Sequence, residues 1–231
     1  TYLTTGRGTH SANIRADLMA SLDEPGKVGV NVGDCDAAFR SGARIVEATY
    51  SVPYLPRARM EPGNATVLVT DDRVDIWLGD QSPQETRRSA SLITGIPETN
   101  VYLHMCHLGG GYGRNGNGPQ AEQAIYVANL NRGTPIHLLW TREEDFINTT
   151  FRSQGVARLR AALDRDGWPI AMEVRTATDE QAPGTNAGFD VAARYFAPNY
   201  RFSAHSPRFH IPVGTRRGVG APAQTFYRES F

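Results

Sequence analysis

The residues best suited to chemistry fall in one stretch, His107-Leu-Gly-Gly-Gly-Tyr-Gly-Arg-Asn-Gly-Asn-Gly118, in which six of twelve residues are glycine. Glycine lets backbone N–H groups turn toward an oxyanion and removes side chains that would block it. The apolar run Val101-Tyr-Leu-His-Met-Cys106 leads in and predicts a strand. Pro119-Gln-Ala-Glu-Gln-Ala-Ile125 leads out and predicts a helix, whose positive end favours the same charge. A strand, a glycine loop and a helix together point to a phosphate- or oxo-bearing ligand. A plain flexible turn is the competing reading.

The loop contains a false lead. Gly111-Tyr-Gly-Arg-Asn-Gly116 fits the G-x-G-x-x-G spacing of a dinucleotide fingerprint. The acid required about twenty residues later is missing, because that region reads Gly133-Thr-Pro-Ile-His-Leu-Leu-Trp140. Gln81 is a second candidate. It follows a predicted strand and precedes a capped helix, where a carboxamide can donate to an oxo group or accept from a hydroxyl; a solvated turn glutamine is the alternative. Arg216 and Arg217 beside Gly218, and Arg57 and Arg59 beside Met60-Glu-Pro62, read either as anion binders or as solvated charges. His104 and His107 fall i, i+3 on a predicted strand and would face opposite ways, so each reads as a hydrogen-bonded sheet histidine. No Ser-His-Asp arrangement or nucleophile elbow is present.

The elements that must position these residues follow from periodicity. Ile14, Leu18 and Leu22 make one face of a helix over Ser11 to Asp23, and Asp34 to Ser41 is a second helical stretch. Ala43–Val52, Asn64–Thr70 and Arg73–Gly79 predict strands, the last two joined at Asp71-Asp72. Ser82, Pro83 and Glu85 predict a capping box, and Gly95 and Pro97 close that helix. Ala121, Ala124, Ile125 and Ala128 form one helical face. Pro135–Trp140 predicts a strand and Thr141-Arg-Glu-Glu144 a further capping box. Gly155–Leu163 and Trp168–Thr178 predict a hairpin around Asp166-Gly167. A strand is expected within Arg201–Pro212 and a helix from Thr225. The fold class expected is α+β, with mixed sheets. The organisation expected is a helical lead-in over 1–42, a strand and helix core over 43–178 carrying the loop 109–118, and an irregular segment with a second glycine loop over 179–231.

The totals set bounds. The chain has 231 residues, enough for a sizeable core in one or two domains. Lys plus Arg equals Asp plus Glu at 24 each, so no basic excess points to nucleic acid. Cys35 and Cys106 cannot by themselves build an iron–sulfur cluster or a zinc site, and one disulfide stays open. No run of eighteen apolar residues is present. Thr1 has no start methionine and Arg228-Glu-Ser-Phe231 ends without a turn signal, so a piece of a longer chain is expected.

Six segments occur in an order that carries a resemblance: Met60-Glu-Pro-Gly-Asn-Ala65, Gln81, Gly95-Ile-Pro-Glu98, Gly109-Gly-Gly-Tyr-Gly-Arg114, Thr141-Arg-Glu-Glu-Asp-Phe146 and Arg228-Glu-Ser-Phe231. From about residue 15 onward the chain resembles the molybdopterin-binding large subunit of the molybdenum hydroxylases. Within that family it is most similar to the isoquinoline 1-oxidoreductase β-subunit and aldehyde dehydrogenase-like branch, related to xanthine dehydrogenase and aldehyde oxidase.

The resemblance implies a molybdenum atom on a pterin dithiolene, in that family often as the cytosine dinucleotide. It implies hydroxylation of an N-heterocycle or oxidation of an aldehyde, with water as oxygen source. Electrons would leave through a small [2Fe–2S] subunit, and a membrane-associated acceptor is a further expected partner. The protein need not ligate the metal itself. Gln81 would stand near an oxo ligand. The loop Gly110, Gly111, Tyr112, Gly113 and Arg114 would lie over the metal's ligand sphere, and Arg217, Gly218, Val219 and Gly220 would line the cofactor from another side. Gly113 is expected to be required by close approach or by a positive φ, so alanine there should leave the fold nearly intact. The departures are specific. The family's catalytic glutamate has no match in this chain, which is therefore expected to be inactive alone and without bound cofactor. Arg57 stands where many relatives have histidine, and Arg114-Asn115-Gly116 lacks the acid of purine oxidisers. The second loop continues Ala221-Pro-Ala-Gln224 without the polar residues common in the branch. A non-catalytic assembly module or a degenerate homologue, with a partner-docking loop, is the alternative reading. Export of relatives already loaded with cofactor favours a periplasmic over a cytoplasmic home, by analogy.

Overall fold

The computed structural model describes residues 10–113, 118–179 and 197–231. They form two compact units. The described residues of the first fall within Thr1–Leu55, Phe151–Gly214 and Gly218–Phe231; the second comprises those of Pro56–Thr150 and Thr215–Arg217.

The first unit is a five-stranded mixed sheet with α1 (Ser11–Ser21), α2 (Cys35–Ser41) and α6 (Ala221–Ser230) against it. Its strands are β1 (Lys27–Val32), β2 (Arg44–Val52), β7 (Gly155–Leu163), β8 (Pro169–Thr178) and β9 (Asn199–His205), in the order β1-β9-β8-β7-β2. All neighbours are antiparallel except β8 and β9. Strand alternation sends Ala157, Leu159, Met172, Val174, Tyr200 and Phe202 into one core with Tyr227 of α6. The i, i+4, i+8 face of α1 buries Ile14, Leu18 and Leu22 against Val156 and Ala177. Each such side chain contributes about 1.5–3 kcal/mol. The strand residues of opposite parity carry charge. Glu173 is 2% exposed and receives Arg201 Nε at 2.8 Å and Arg160 Nη1 at 3.3 Å, with Arg175 at 3.5 Å. Burial pushes the Glu173 carboxyl up, but the Arg201 hydrogen bond and the charges of Arg175, Arg201 and Arg160 outweigh it and hold it below the ordinary carboxylate range.

The second unit is a four-stranded sheet of β3 (Asn64–Val69), β4 (Val74–Leu78), β5 (Val101–Met105) and β6 (Ile136–Leu139), in the order β5-β4-β3-β6. The hairpin at Asp71-Asp72 pairs β3 with β4, while β4 and β5 run parallel through α3 (Pro83–Thr94) and a 3₁₀ turn at Glu98–Asn100. α4 (Pro119–Leu130) turns Ala121, Ala124, Ile125 and Ala128 inward, all at most 1% exposed, against Ala65, Val67, Val69, Val74 and Ile76. α5 (Arg142–Asn148) starts from Thr141, whose hydroxyl accepts the Glu144 N–H at 3.2 Å.

The α+β class with mixed sheets is as expected. Several details differ. β1 has no counterpart in the sequence reading and lies in the stretch expected to be a helical lead-in. It is a short edge strand with Gly29 inside, so its alternation is weak. β9 ends at His205, and α6 begins four residues earlier than expected, with Pro222 in its first turn. The 179–196 part of the expected irregular segment lies, from residue 180, outside the described residues. The disulfide left open does not form: Cys35 is a buried free thiol and Cys106 an exposed one.

Candidate cofactor-binding site

Gln81 sits between β4 and α3, and its placement rests on its neighbour. The expected capping box at Ser82 is not formed, since the Ser82 side chain makes no cap hydrogen bond. Asp80 does the capping instead. It is 4% exposed, and its carboxylate accepts the Ser82 N–H at 2.7 Å and the Thr86 hydroxyl at 2.5 Å. An aspartate before a proline-started helix is the signal that the sequence reading passed over. Gln81 itself is exposed. Behind it, a Cβ on Gly79 would stand 2.9 Å from Leu108 Cδ2 and 3.1 Å from the His107 carbonyl oxygen. The chain before Gln81 therefore packs against the entry to the glycine loop.

The loop is held from two sides. Glu61, of the Met60-Glu-Pro62 segment, accepts the Gly109 N–H at 2.8 Å, and a Cβ on Gly109 would strike the Glu61 side chain. On the other side, Arg217 donates its backbone N–H to the Tyr112 carbonyl at 2.8 Å. A Cβ on Gly113 would fall onto the Thr215 carbonyl oxygen and within 2.8 Å of Arg216 Cα. Close approach to this chain's own backbone thus requires glycine at 113, and the expectation that alanine leaves the fold nearly intact is revised. Three described residues of the loop have positive φ, Gly110 at +93, Tyr112 at +48 and Gly113 at +158, so at 113 the positive φ adds to the close approach. A non-glycine residue with positive φ is strained and is held by its surroundings. Among the described residues, the backbone N–H groups of Gly110, Gly111, Tyr112 and Gly113 form no hydrogen bond.

Two arginines lock the second loop in place. Arg57 donates from Nε to the Thr215 carbonyl at 3.2 Å and from Nη2 to the Thr150 hydroxyl at 2.6 Å. Arg216 donates to the Pro56 carbonyl. Neither is the solvated charge that the sequence allowed. Arg59 is 6% exposed beside Asp145 at 3.5 Å.

The second unit therefore brings Gly79 against His107 and Leu108, and Tyr112 and Gly113 against the loop 215–217. Gly218, Val219 and Gly220 belong to the first unit, where Gly218 has φ +83 and Val219 φ +53. Arg114 lies outside the described residues. His107 falls beyond the end of β5, so the two histidines do not share a strand. His104 is the hydrogen-bonded sheet histidine expected: Nε2 meets Asp75 Oδ1 at 2.7 Å and the ring stacks on Trp77. The Arg73 hydrogen bond, with that of His104, holds the Asp75 carboxyl below its ordinary range against burial. Among the described residues, no group of three or more His, Cys, Asp or Glu is placed to hold a metal ion.

Comparison with known proteins places the chain. A family model described as the molybdopterin cofactor-binding domain matches residues 21–231. The chain belongs to that family. It is 28% identical over 213 residues to the isoquinoline 1-oxidoreductase subunit beta of Brevundimonas diminuta, covering 84% of this chain and 27% of that protein. It is 30% identical over 142 residues to the membrane-bound aldehyde dehydrogenase [pyrroloquinoline-quinone] of Gluconacetobacter polyoxogenes, covering 62% and 18%. Among solved structures, the Desulfovibrio gigas aldehyde oxidoreductase aligns with a TM-score of 0.66 at 23% identity, over 87% of this chain and 23% of that one. Quinoline 2-oxidoreductase from Pseudomonas putida 86 aligns at 0.64 and 22% identity, over 86% and 28%. These likenesses show the fold of a molybdopterin cofactor-binding domain. The chain spans about a quarter of the length of those relatives, 27% for the isoquinoline enzyme subunit.

Proposed function

We propose that this chain is part of the molybdopterin-binding subunit of an oxidoreductase that hydroxylates an N-heterocycle or oxidises an aldehyde, with water as oxygen source. The observation carrying this reading is the run of backbone N–H groups from Gly110 to Gly113 that form no hydrogen bond among the described residues, in a loop held at Tyr112 by the Arg217 N–H. Free backbone donors in a glycine loop suit an oxo- and phosphate-bearing group, so the residues present fit a molybdenum–pterin cofactor. When bound, that group supplies the oxygen and takes up the substrate's electrons. The Tyr112–Gly113 backbone would donate to it, the Gln81 carboxamide would donate to an oxo oxygen, and Arg217 would line it from another side. The cytosine dinucleotide form, a small [2Fe–2S] partner, a membrane-associated acceptor and a periplasmic home belong to the same proposal. Relatives named as a β-subunit and as the subunit gamma of a dehydrogenase complex support a partner subunit of some kind. Among the described residues, no helix is long and apolar enough to cross a membrane. No glutamate of this chain matches the family's base, so the chain alone should not turn over.

Molybdenum and pterin analysis, together with isoquinoline and aldehyde oxidation assays, tests this. Cofactor retained by a protein carrying this chain, and lost when the loop is altered, supports it. Turnover by the 231 residues alone would show that the base had been misplaced. One observation favours the other reading, a module without chemistry: Gly109 and Gly113 are required by the chain's own packing, ligand or not. Absence of pterin from the complete protein would select that module.

A further inference from the structure

We propose that the second unit takes up an extended acidic peptide as an added strand along the open edge of β5, in a groove walled by α3. β5 stands at the end of the strand order β5-β4-β3-β6 and, among the described residues, pairs with β4 alone. A groove of about 480 Å³ lies between this edge and α3, lined by Pro83, Gln84 and Arg87 on one side and by the run from Val101 to Met105 on the other. Ligand sites have volumes of roughly 300–1,000 Å³, so there is room here for a few peptide residues.

The free backbone groups follow from the register. Cys106 donates its N–H across to the Leu78 carbonyl of β4 at 3.1 Å. Successive strand residues turn their N–H and C=O to opposite edges, so Tyr102 and His104 bond β4, while Leu103 and Met105 point away from it. Among the described residues, neither Leu103 nor Met105 makes a backbone hydrogen bond elsewhere. Val101 differs, because its N–H turns back to the Glu98 carbonyl. Exposed edges are as a rule blunted by lysine, proline or a bulge. β1, an edge strand of the other sheet, carries Lys27, Gly29 and a register shift between Val28 and Val30. β5 has no lysine, proline or register shift, and its Met105 is 55% exposed. Such an edge can accept a further strand, whose main chain supplies the hydrogen bonds.

The charge of the groove selects an acidic occupant. Arg87 stands on its wall, and no carboxylate is among the lining side chains. Arg87 Nη2 donates to the Glu98 carbonyl at 2.6 Å, and its Nε is buried without a partner. Among the described residues, this guanidinium pairs with no carboxylate. His104, on the opposite wall, meets Asp75 at 2.7 Å, and Arg73 holds the same carboxylate at 2.6 and 2.7 Å. A glutamate or aspartate on the added strand would give Arg87 the charged acceptor it lacks, and such charge-assisted bonds are the strong ones. The groove is additional to the glycine-loop reading and does not depend on it.

The test uses the full chain and a short, end-blocked peptide of alternating valine and glutamate, followed by fluorescence anisotropy. Saturable binding is expected, with amide shifts at Leu103 and Met105 in the NMR spectrum. The lysine counterpart should bind roughly tenfold or more weakly, the scale of one lost hydrogen bond to a charged group. The fully N-methylated glutamate peptide, which has no N–H to donate, should not bind. Met105→Pro removes an outward N–H but no bond to β4, a place where an edge strand tolerates proline. It should weaken binding roughly three- to tenfold, and the N-methylated peptide carries the same test should that variant fail to fold. Arg87→Gln should abolish the preference for glutamate over lysine. No saturable binding, equal binding of the two charged peptides, or undiminished binding of the N-methylated one overturns the proposal. So does a dimer of the chain that Met105→Pro dissociates, which would give the edge to a second copy.

Discussion

Arg217 donates its backbone N–H to the Tyr112 carbonyl at 2.8 Å, and beside that bond Gly113 lies flush against Thr215 and Arg216. Two loops far apart in sequence are thus one object, held by backbone contacts. The glycine at 113 is a packing requirement first, and any cofactor that rests on the loop inherits that rigidity.

Gly113→Ala should therefore destabilise the second unit by about 1–3 kcal/mol, the usual cost of overpacking. Gly95→Ala is the control. Gly95 has φ +75 with nothing within 4 Å of a Cβ, so only backbone strain of about 1 kcal/mol applies. Urea unfolding of both variants should rank Gly113→Ala as the more damaging. Equal losses would mean that the two loops give way easily.

Asp80 should matter more than Ser82. Asp80→Ala removes two hydrogen bonds to the start of α3 and should cost about 1–2 kcal/mol, whereas Ser82→Ala should cost a few tenths. Chemical denaturation of the two variants decides it. A larger loss in Ser82→Ala would restore the capping box that the sequence suggested.

The α3 start shows what was legible and what was not. Local periodicity revealed α1, α3, α4 and the β7–β8 hairpin, because each repeats its apolar face over several turns or residues. β1 escaped because an edge strand is defined by its partner β9, far along the chain. Gln81 and Tyr112 could be nominated from the ordered motifs, but what positions them could not. Asp80 acts across six residues to Thr86, and Thr215 reaches Gly113 only through the fold. The same holds for Arg57, whose partners Thr150 and Thr215 are distant in sequence.

Gln81→Ala tests the chemical role proposed for that residue. In the complete, cofactor-loaded protein it should leave molybdenum content and melting temperature close to the parent. Loss of one hydrogen bond to a charged partner, about 1.5–3 kcal/mol, should slow turnover by about 10- to 150-fold. Asp80→Ala should slow it too, by freeing the backbone around Gln81, but with a lower melting temperature. Normal turnover in Gln81→Ala would remove the carboxamide from the site.

Glu173 sets an acid limit on the first unit. Its folded carboxyl lies below the unfolded value of about 4.3. The stability it contributes is thus fully present above that value and is lost as pH falls through the folded one. Glu173→Gln leaves Arg160, Arg175 and Arg201 facing a neutral amide. Removing one partner of a buried charge set costs about 3–5 kcal/mol, and the lower end applies here, because Arg175 and Arg201 are 31% and 26% exposed and Asp36 shares Arg201. Unfolding by urea at neutral pH should show that loss. Acidification should narrow the gap between parent and variant, since the parent's carboxylate is then protonated as well. A gap that stays constant into acid would mean that Glu173 contributes by shape and not by charge.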